Sequence, residues 1–391
     1  MRIGVDATCW HNRRGYGRHS RALLRALVRL DQSNTYTLFL DSDELAEPTP
    51  EGCELRLLRA GVPTVQAASA QGRRSVRDMW RMSRALSRPE FQVLLFPTVY
   101  SYVPAFSRAR KLVMVHDVIA ETYPKLTVPR TSARLLWNTK VALGIAQAHA
   151  LITVSDYSRE GIVKHFGVDA KKIFVVGEAA DPVFRKLANA VLTPKLRAAG
   201  IVEHRRMVVY VGGFSPHKNL DTLVSAFARV ARRPEFADVL LVMVGATTGD
   251  AFLTYFHSVE AQVATLGLSD RVVFTGYLAD EDLVVLLNLA AVLILPSLME
   301  GFGLPAVEAA QCGCPEIATT SSPLRGLLGE GGQFIKPSEA EIERSLTEVL
   351  SSRDLRRRMG AHGQEAAARL TWDRAALQMM RIIEDVQTCG R

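Results

Sequence analysis

The chain has 391 residues, of which 48% are hydrophobic and 23% are charged, values typical of globular proteins. At about 100–200 residues per domain, this length predicts two domains. The longest apolar stretch, residues 283–295, is shorter than the roughly 20 residues that a bilayer-spanning helix needs. Five scattered cysteines form neither a disulfide framework nor a paired zinc motif, and no secretory signal is expected. These features predict a soluble protein of the reducing cytoplasm.

The net charge of +8 is concentrated in the first half of the chain. Residues 1–190 hold 28 basic and 17 acidic side chains, whereas residues 191–391 hold 20 and 23. The densest basic run, residues 73–88, includes Trp80 and has helical spacing. A solvated helix face is the ordinary interpretation of such a run, and peripheral contact with an anionic membrane is the alternative. No nucleic-acid-binding motif accompanies the charge, so nucleic acid is not an expected partner.

Short apolar, β-branched runs alternate with helical patterns along the chain. The runs predict strands at residues 2–6, 35–40, 93–96, 111–116, 150–154 and 173–176, then at 207–211, 239–244, 271–274, 291–295 and 316–319. Strand–helix alternation predicts an α/β protein whose parallel sheets are covered on both faces.

The strands fall into two series, which predicts two Rossmann-like, doubly wound lobes with a cleft between them. A polar stretch at residues 184–206 separates the series, so residues 1–184 form the first lobe and 185–370 the second. Ligands of such sheets bind at the loops beyond the carboxyl ends of the strands. Residues 371–391 begin with a capping Thr371 and continue as an amphipathic pattern, which predicts a C-terminal helix.

The most informative loop follows the predicted strand at residues 291–295. It runs from Glu300 through two glycines to Pro305, which suits the first turn of a helix. A helix start offers free backbone N–H groups and the positive end of the helix dipole, and both favour an anion. Glu300 and Glu308 could accept hydrogen bonds from sugar hydroxyls beside that anion, although Glu308 could equally complement the helix dipole.

This segment, with seven residues between Glu300 and Glu308, resembles the Glu-x7-Glu signature of the retaining glycosyltransferases of family 4, whose fold is GT-B. The resemblance implies that Glu300 contacts the hydroxyls of the donor sugar and that Glu308 holds the nucleotide ribose. It also implies that the C-terminal helix crosses back to the first lobe. The loop amides that would meet the diphosphate and the sugar are those of Phe302, Gly303 and Leu304.

A second glycine-rich loop, residues 211–219, follows the first strand of the second lobe. Lys218 lies at the start of an amphipathic helix, where a cation opposes the helix dipole and is better explained if an anion binds there. The family has a matching lysine that binds the donor phosphates, which implies that role for Lys218. Many members have an arginine where this chain has Gly213, so one phosphate contact is missing or comes from elsewhere, with His217 as the candidate.

Two loops of the first lobe contain the remaining candidates. A Gly-x-Gly turn at residues 15–17 permits close approach of the backbone to a ligand, and the family's N-terminal loop implies that Gly17 and Arg18 face the donor. His116 and Asp117 end a predicted strand. The family has a histidine here beside the anomeric carbon, often followed by aspartate, which implies a catalytic His116 and an acceptor contact at Asp117.

Two Asp-x-Asp triplets, at residues 41–43 and 280–282, are of the kind that holds a metal–diphosphate in other glycosyltransferases. The first has the composition of a turn, and the second that of a helix N-cap with an acidic first turn. We therefore expect no metal and no cofactor besides the donor substrate, because Lys218 and helix amides can balance the charge of the leaving diphosphate.

Together these features predict a retaining, metal-independent glycosyltransferase that moves a hexosyl group from a nucleoside-diphosphate sugar to a glycan, lipid-linked or small-molecule acceptor. The N-terminal and His116-Asp117 segments resemble bacterial mannosyltransferases of polysaccharide biosynthesis, which favours GDP-mannose as the donor. The alternatives are a sugar-nucleotide epimerase and a non-catalytic sugar-nucleotide-binding protein of the same fold. An incomplete glycine fingerprint argues against a nicotinamide-dependent oxidoreductase. The expected location is the cytoplasm, at the inner face of the membrane if the basic first lobe binds lipid.

Overall fold

The structure, a computed structural model, describes residues 1–12, 15–43, 45, 47–61, 64, 75–247 and 254–388. The chain forms two compact units, Met1–Glu178 together with Thr371–Arg391, and Ala179–Leu370. The boundary placed after residue 184 from the sequence lies a short distance beyond the end of the first segment.

The first unit is built on a parallel sheet. Its strands are β1 (Arg2–Asp6), β2 (Thr35–Leu40), β3 (Glu54–Leu57), β4 (Val93–Phe96), β5 (Arg110–Met114), β6 (Ala150–Thr153) and β7 (Ile173–Val175). They lie in the order β3-β2-β1-β4-β5-β6-β7, with every neighbouring pair parallel. The central strands β1, β4 and β5 are almost entirely buried, as expected for a sheet covered on both faces.

Helices connect these strands. They are α1 (Gly15–Leu30), α2 (Val76–Leu86), α3 (Ile119–Thr122), α4 (Pro124–Thr127), α5 (Thr131–Gln147) and α6 (Asp156–Phe166), with short 3-10 helices at Thr8–His11 and Ala170–Lys172. Helix α1 buries Leu23 and Leu27, which lie one turn apart on one face of the helix. The C-terminal helix (Trp372–Thr388) packs along α1 and buries Met379 and Ile383, so it belongs to the first unit as the family resemblance implied.

The second unit has its own parallel sheet. Its strands are β8 (Met207–Val211), β9 (Leu240–Val244), β10 (Val272–Gly276), β11 (Val292–Leu295), β12 (Glu316–Thr319) and β13 (Gly332–Ile335). They lie in the order β10-β9-β8-β11-β12-β13, again with every pair parallel.

The helices of the second unit cover this sheet. They are α7 (Pro194–Ala198), α8 (Leu220–Ala231), α9 (Phe256–Thr265), α10 (Asp280–Leu289), α11 (Leu304–Gln311), α12 (Leu324–Leu328), α13 (Glu339–Ser351) and α14 (Arg353–Ala367), with 3-10 helices at Pro216–Lys218, Pro234–Phe236 and Gly329–Gly331. The apolar face predicted for α8 is confirmed, since its Leu220, Leu223, Val224, Phe227 and Val230 are all buried.

In both sheets the strand order reverses beside the first strand. β1 lies between β2 and β4, and β8 lies between β9 and β11. At such a reversal the loops after the two neighbouring strands lead to helices on opposite faces, which opens a crevice at the carboxyl edge of the sheet. In the second unit these are the loops after β8 and β11, which contain Lys218 and Glu300.

The predicted α/β class and all eleven predicted strands are confirmed, with ends that differ by one or two residues. The sequence analysis missed β3 and β13, which are the edge strands of their sheets. β3 has the sequence Glu-Leu-Arg-Leu and is half exposed, and three of the four residues of β13 are partly exposed. An edge strand buries less of its surface, so it does not need the apolar run by which a central strand is recognised.

Three local expectations need adjustment. The strand predicted at residues 111–116 ends at Met114, so His116 lies in the following loop. The N-cap of α10 is Ala279, and Asp280 is its first helical residue. Asp282 of the same triplet accepts a hydrogen bond of 2.5 Å from the Thr193 hydroxyl. In the other triplet, Asp43 forms an ion pair of 2.8 Å with Arg59.

The basic run of residues 73–88 forms α2, except that residues 73 and 74 lie outside the described residues. Val76 and Trp80 are exposed, at 76% and 59%. On the same helix, the Ser83 hydroxyl donates a hydrogen bond of 2.6 Å to the Pro104 carbonyl. Within the described ranges, no helix has the length and apolar character that crossing a bilayer requires.

Candidate active site

The loops after β8 and β11 bring Lys218 and Glu300 into direct contact. The Lys218 Nζ atom donates a hydrogen bond of 2.6 Å to Oε1 of Glu300. The Ser297 hydroxyl donates to the same carboxylate oxygen, also at 2.6 Å. Because β8 and β11 are adjacent and parallel, their carboxyl ends meet at one edge of the sheet, and this topology produces the contact.

Asn219, whose backbone is in the left-handed helical conformation, fixes the position of Lys218. Lys218 ends the 3-10 helix, and Asn219 follows it with φ of 59°, a conformation that asparagine tolerates better than most residues. The buried Asn219 amide donates to the carbonyl oxygens of Pro296, at 3.1 Å, and Pro337, at 2.9 Å. Asn219 therefore ties the loop after β8 to the loop after β11. The sequence analysis did not single it out, although an asparagine between a lysine and a helix start is a signal of such a turn.

The Glu300 carboxylate is buried and remains ionised. Burial raises the pKa of Glu300, but the charge of Lys218 and the hydrogen bonds from Lys218 and Ser297 outweigh it, so the pKa lies below the usual range. The backbone of the same loop is also held, since Glu300 N–H donates to the Ser321 carbonyl at 3.0 Å. A fixed negative carboxylate beside a cation can accept hydrogen bonds from neutral hydroxyls while the cation meets an anion.

The start of α11 requires glycine at position 303. Gly303 has φ of 91°, and a Cβ atom there would lie 2.8 Å from Leu324 Cδ1. Phe302 and Leu304 are buried on either side of it. Glu308 lies within α11 and is only 2% exposed, so it is part of the interior of this helix junction rather than of its surface. The structure thus places the Glu-x7-Glu residues on one loop–helix junction of the second unit.

Two other candidates of the second unit lie in the loop after β8. The Gly213 carbonyl accepts a hydrogen bond of 2.7 Å from the Tyr210 hydroxyl. The His217 carbonyl accepts one of 2.9 Å from Leu298 N–H, which again joins the two loops. The observed backbone contacts give both residues a part in shaping the loops that hold Lys218.

In the first unit, His116 and Asp117 lie in the loop after β5. The His116 ring is 8% exposed, and its Nε2 atom lies 3.0 Å from the Pro97 carbonyl oxygen. Oδ1 of Asp117 accepts a hydrogen bond of 2.9 Å from Ile119 N–H at the start of α3. Both side chains are thus oriented by the backbone of their own unit.

Gly17 and Arg18 lie in the first turn of α1 rather than in a loop. A Cβ atom at position 17 would lie 2.1 Å from the Asn12 carbonyl oxygen. Glycine is therefore required at position 17 because the backbone of Asn12 lies so close. The neighbouring Arg18 is half-buried, and its contact with a ligand stays a prediction. Residues 13 and 14 of this segment lie outside the described residues.

The sequence analysis missed a depression beside His116. Its walls are formed by Val99, Tyr100, Val115, His116, Asp117, Ala120, Glu121, Trp137 and Val141. Trp137 Nε1–H donates a hydrogen bond of 2.7 Å to Glu121, and the Tyr100 and Trp137 rings lie 5.1 Å apart. Burial raises the pKa of Glu121, and the hydrogen bond from Trp137 offsets only part of that rise. Aromatic rings beside carboxylates are suited to a sugar, which offers C–H faces and hydroxyl groups.

A second feature that the sequence analysis missed is a buried cluster of His19, His116 and Glu178. The His19 Nδ1 atom lies 3.0 Å from Glu178 Oε1, and the His116 Nδ1 atom lies 3.9 Å from the same oxygen. Among the described residues this is the one group of three side chains with metal-binding atoms close enough to share an ion. A signal existed for His19, because it shares the buried face of α1 with Leu23 and Leu27 and is the polar member of that face.

The two halves of the chain match two models of glycosyltransferases. Residues 13–183 match the model described as Glycosyltransferase Family 4, and residues 193–366 match the model described as Glycosyl transferases group 1. Together with the two Rossmann-like sheets, these matches define a glycosyltransferase of the GT-B class. The chain is a GT-B glycosyltransferase similar to family 4, and it is a hexosyltransferase.

Several curated relatives act on mannose or inositol phosphate. The chain is 28% identical over 378 residues to the MMP alpha-(1->4)-mannosyltransferase of Mycolicibacterium hassiacum, which covers 91% of this chain and 86% of that protein. It is 24% identical over 271 residues to the O-antigen chain mannosyltransferase B of Escherichia coli, covering 69% and 68%. It is 31% identical over 244 residues to the D-inositol 3-phosphate glycosyltransferase of Stackebrandtia nassauensis, covering 59% of this chain and 53% of that relative. The aligned part thus spans about half of the last relative's length.

Solved structures share the fold. The sucrose-phosphate synthase of Thermosynechococcus elongatus superposes with a TM-score of 0.79 at 19% identity, covering all of both chains. HepE of Anabaena, in complex with UDP and glucose, superposes with a TM-score of 0.73 at 17% identity, covering 98% of this chain and 99% of HepE.

Proposed function

We propose that this protein transfers a hexosyl group from a nucleoside-diphosphate sugar with retention of anomeric configuration and without a catalytic metal. The observation that carries the proposal is the contact between Lys218 and Glu300 at the carboxyl ends of β8 and β11. It places a cation and an ionised carboxylate, two groups with opposite binding preferences, at the reversal point of a doubly wound sheet. A sugar diphosphate has a group for each of them: its diphosphate can bind the cation, and its sugar hydroxyls can donate hydrogen bonds to the carboxylate.

The donor is assigned to the second unit. Lys218 and the N-terminus of α11 would bind the diphosphate, because both supply positive electrostatic potential. Glu300 would accept hydrogen bonds from the sugar, and Glu308 would bind the ribose. The HepE complex with UDP and glucose supports a nucleotide sugar as the donor class, and the mannosyltransferases among the relatives support a mannosyl group.

The chemistry consists of one bond broken and one formed. The bond between the anomeric carbon and the diphosphate oxygen breaks, and the electron pair leaves with the diphosphate. The acceptor oxygen bonds to the anomeric carbon on the same face, and its proton passes to a leaving diphosphate oxygen. Lys218 and the helix amides stabilise the negative charge that develops on the diphosphate. A divalent metal ion stabilises this charge in other glycosyltransferases.

The acceptor is assigned to the first unit. The depression beside His116 offers the aromatic rings of Tyr100 and Trp137 and the carboxyl groups of Asp117 and Glu121. Ring faces stack on the C–H bonds of a pyranose, and carboxyl oxygens accept from its hydroxyls. This lining favours a carbohydrate acceptor, whether free, part of a polysaccharide or carried on a lipid.

A lipid-linked acceptor agrees with membrane contact through the first unit. Helix α2 exposes Val76 and Trp80 among basic side chains, and α5 exposes Leu135 and Leu136 at 68% and 71%. Exposed apolar side chains flanked by Lys and Arg bind the interface of anionic bilayers. We propose a cytoplasmic enzyme that associates peripherally with such a surface, and vesicle co-sedimentation with and without phosphatidylglycerol tests this.

The donor is identified by a thermal-shift panel of UDP-, GDP- and ADP-sugars, since a ligand that binds only the native state raises the unfolding temperature. We expect GDP-mannose to stabilise the protein and Lys218→Ala to remove most of that stabilisation. The stabilising donor is then incubated with mannoside and lipid-linked acceptors in excess EDTA, and the product anomer is read by NMR. Inversion of configuration, or loss of transfer in EDTA that Mg²⁺ or Mn²⁺ restores, contradicts the proposal.

A further inference from the structure

The cluster of His19, His116 and Glu178 joins three elements of the first unit. His19 lies on α1, His116 in the loop after β5, and Glu178 beyond the end of β7. Glu178 Oε1 is shared, at 3.0 Å from His19 Nδ1 and 3.9 Å from His116 Nδ1. The shorter contact has the length of a hydrogen bond, whereas the longer one exceeds that length. The two imidazole rings pack edge to face, with centroids 5.0 Å apart.

All three side chains are removed from water. His19 is 0% exposed, Glu178 7% and His116 8%. Burial raises the pKa of Glu178, yet the two imidazoles outweigh that effect and hold the pKa at about 2. Burial lowers the pKa of His19 more than the neighbouring carboxylate raises it. The cluster is therefore a buried carboxylate, ionised throughout the physiological range, placed between two rings.

The contacts define the orientation of the His116 ring. Its Nε2 faces the Pro97 carbonyl oxygen, which can only accept, so Nε2 bears the proton. Its Nδ1 then faces the Glu178 carboxylate. A flipped ring would place carbon atoms opposite both of these oxygens, so the two contacts favour the observed orientation. The indole of Trp372 packs against His19 at 5.4 Å from the C-terminal helix, and the adjacent Asp373 is paired with Arg29.

We propose that Glu178 is a positioning residue for His116, fixing the orientation of that ring beside the acceptor depression. A role of His116 in transfer is what the family resemblance implies, and this inference rests on that role and on the proposed function. Glu178 acts through His116 and not on the substrate, so its loss should affect turnover while leaving donor binding in the second unit intact. His19 is the second attachment of Glu178 and holds it against α1.

The test compares Glu178→Gln, Glu178→Asp and the control Glu316→Gln, which changes an equally buried glutamate of the second unit. A displacement of about 1 Å costs up to roughly a hundredfold in rate, so we expect Glu178→Gln to lower kcat roughly ten- to a hundredfold with the donor Kd unchanged. Glu178→Asp keeps the charge and should recover part of kcat. Glu316→Gln should leave kcat unchanged.

A second readout does not depend on activity. In the ¹⁵N spectrum of labelled histidine rings, Glu178→Gln should shift the signals of both His19 and His116. If the wild type transfers no sugar from any donor, the proposed function fails, and the ring spectra still decide the positioning role.

Three results overturn the inference. They are a kcat of Glu178→Gln equal to that of the wild type, ring signals that do not move, and stoichiometric zinc in the purified protein whose removal changes the ring signals. The last result would make the cluster a metal site. If Glu178→Gln does not fold, the Glu178→Asp variant and His19→Asn, which removes the second attachment, carry the same ring and rate measurements.

Discussion

Lys218 Nζ lies 2.6 Å from Glu300 Oε1, although 82 positions separate the two residues in the chain. The ammonium group is shared between a permanent partner in the protein and the diphosphate that we assign to it. In the proposed function, Lys218 binds the diphosphate and Glu300 binds the sugar. Variants of Lys218 and of Glu300 should therefore affect diphosphate affinity and the rate of sugar transfer differently.

Replacing Lys218 by alanine should lower kcat/KM by roughly a hundred- to a thousandfold, the usual loss when one preorganised charge-stabilising donor is removed. The fold should survive, because the Lys218 side chain is 21% exposed and lies at a loop end. Steady-state kinetics measure the effect. Lys336→Ala removes the same charge from an exposed position of the second unit and should change nothing. Near-normal turnover of Lys218→Ala would remove this lysine from the mechanism.

Replacing Glu300 by glutamine should separate sugar recognition from diphosphate binding. The amide keeps the shape but releases Lys218 from its charged partner, so the affinity for nucleoside diphosphate should hold or increase. The rate of transfer should fall about ten- to a hundredfold, as expected when a charged acceptor worth roughly 1.5–3 kcal/mol is lost. Calorimetry with the nucleotide and kinetics with the sugar donor give the two values. A parallel loss of both would show that Glu300 serves the loop structure alone.

Gly303→Ala should reduce both stability and donor affinity. A non-glycine residue at φ of 91° costs about 1–2 kcal/mol, and the added methyl would press on Leu324 at the start of α11. Gly326→Ala is the matched control, since Gly326 lies within α12 with nothing near its Cβ position, and alanine there should be neutral or slightly stabilising. Urea denaturation and donor titration measure both. Equal stability of the two variants would contradict the strained conformation.

Trp137→Phe should weaken the acceptor and spare the donor. Phenylalanine keeps an aromatic face but removes the N–H that Glu121 accepts, a loss of about 0.5–1.5 kcal/mol or roughly two- to tenfold in acceptor KM. The pKa of Glu121, already raised by burial, should rise further. Trp80→Phe, at an exposed site on α2, is the control. An unchanged acceptor KM would place the acceptor elsewhere.

Glu316→Val should stabilise the protein, and more so as the pH rises. Glu316 is the first residue of β12 and is 0% exposed, and neither of its carboxyl oxygens has a hydrogen-bond partner within the described part of the chain. Burial raises its pKa well above 4.5, so the folded protein keeps a proton that the unfolded chain releases above that pH. The free energy of unfolding of the wild type therefore falls with rising pH, and the variant escapes that loss.

We expect Glu316→Val to gain roughly 1–3 kcal/mol, the cost of an unsatisfied buried polar group. Guanidinium denaturation at pH 5 and pH 8 measures it. Glu316→Gln, which cannot ionise but remains polar, should remove the pH dependence and little else. A smaller gain for Glu316→Val at pH 8 than at pH 5 would mean that the carboxyl has a partner in solution.

The sequence predicted the central framework because the central strands of parallel sheets must be apolar on both faces. Lys218 and Glu300 each follow the carboxyl end of a strand in the same series, where ligands of such sheets bind, and the family resemblance assigned both residues to the donor. The edge strands β3 and β13 were not predicted, because partly exposed strands do not need to be apolar on both faces. The extent of α1 was misjudged at Gly17, where a helix start and a flexible turn have the same composition.

The residues that the sequence analysis missed form pairs across long distances in the chain. Glu178 has no local pattern, and the position of His19 on the apolar face of α1 does not identify its partner. Trp137 lies on a helix where an aromatic residue ordinarily means packing, and its hydrogen bond to Glu121 depends on how α5 and α3 meet. Such contacts are decided by tertiary structure and not by periodicity.

The first unit is made from two separate stretches, with Ala179–Leu370 as an uninterrupted insertion between them. During synthesis on the ribosome, the second unit is therefore complete before the C-terminal helix exists, and domains fold as units once their chain has emerged. Until Trp372–Thr388 arrives, the apolar side of α1 and the ring of His19 have no cover from that helix. A released chain that ends at residue 370 should thus contain the whole second unit beside a first unit that lacks the cover of this helix.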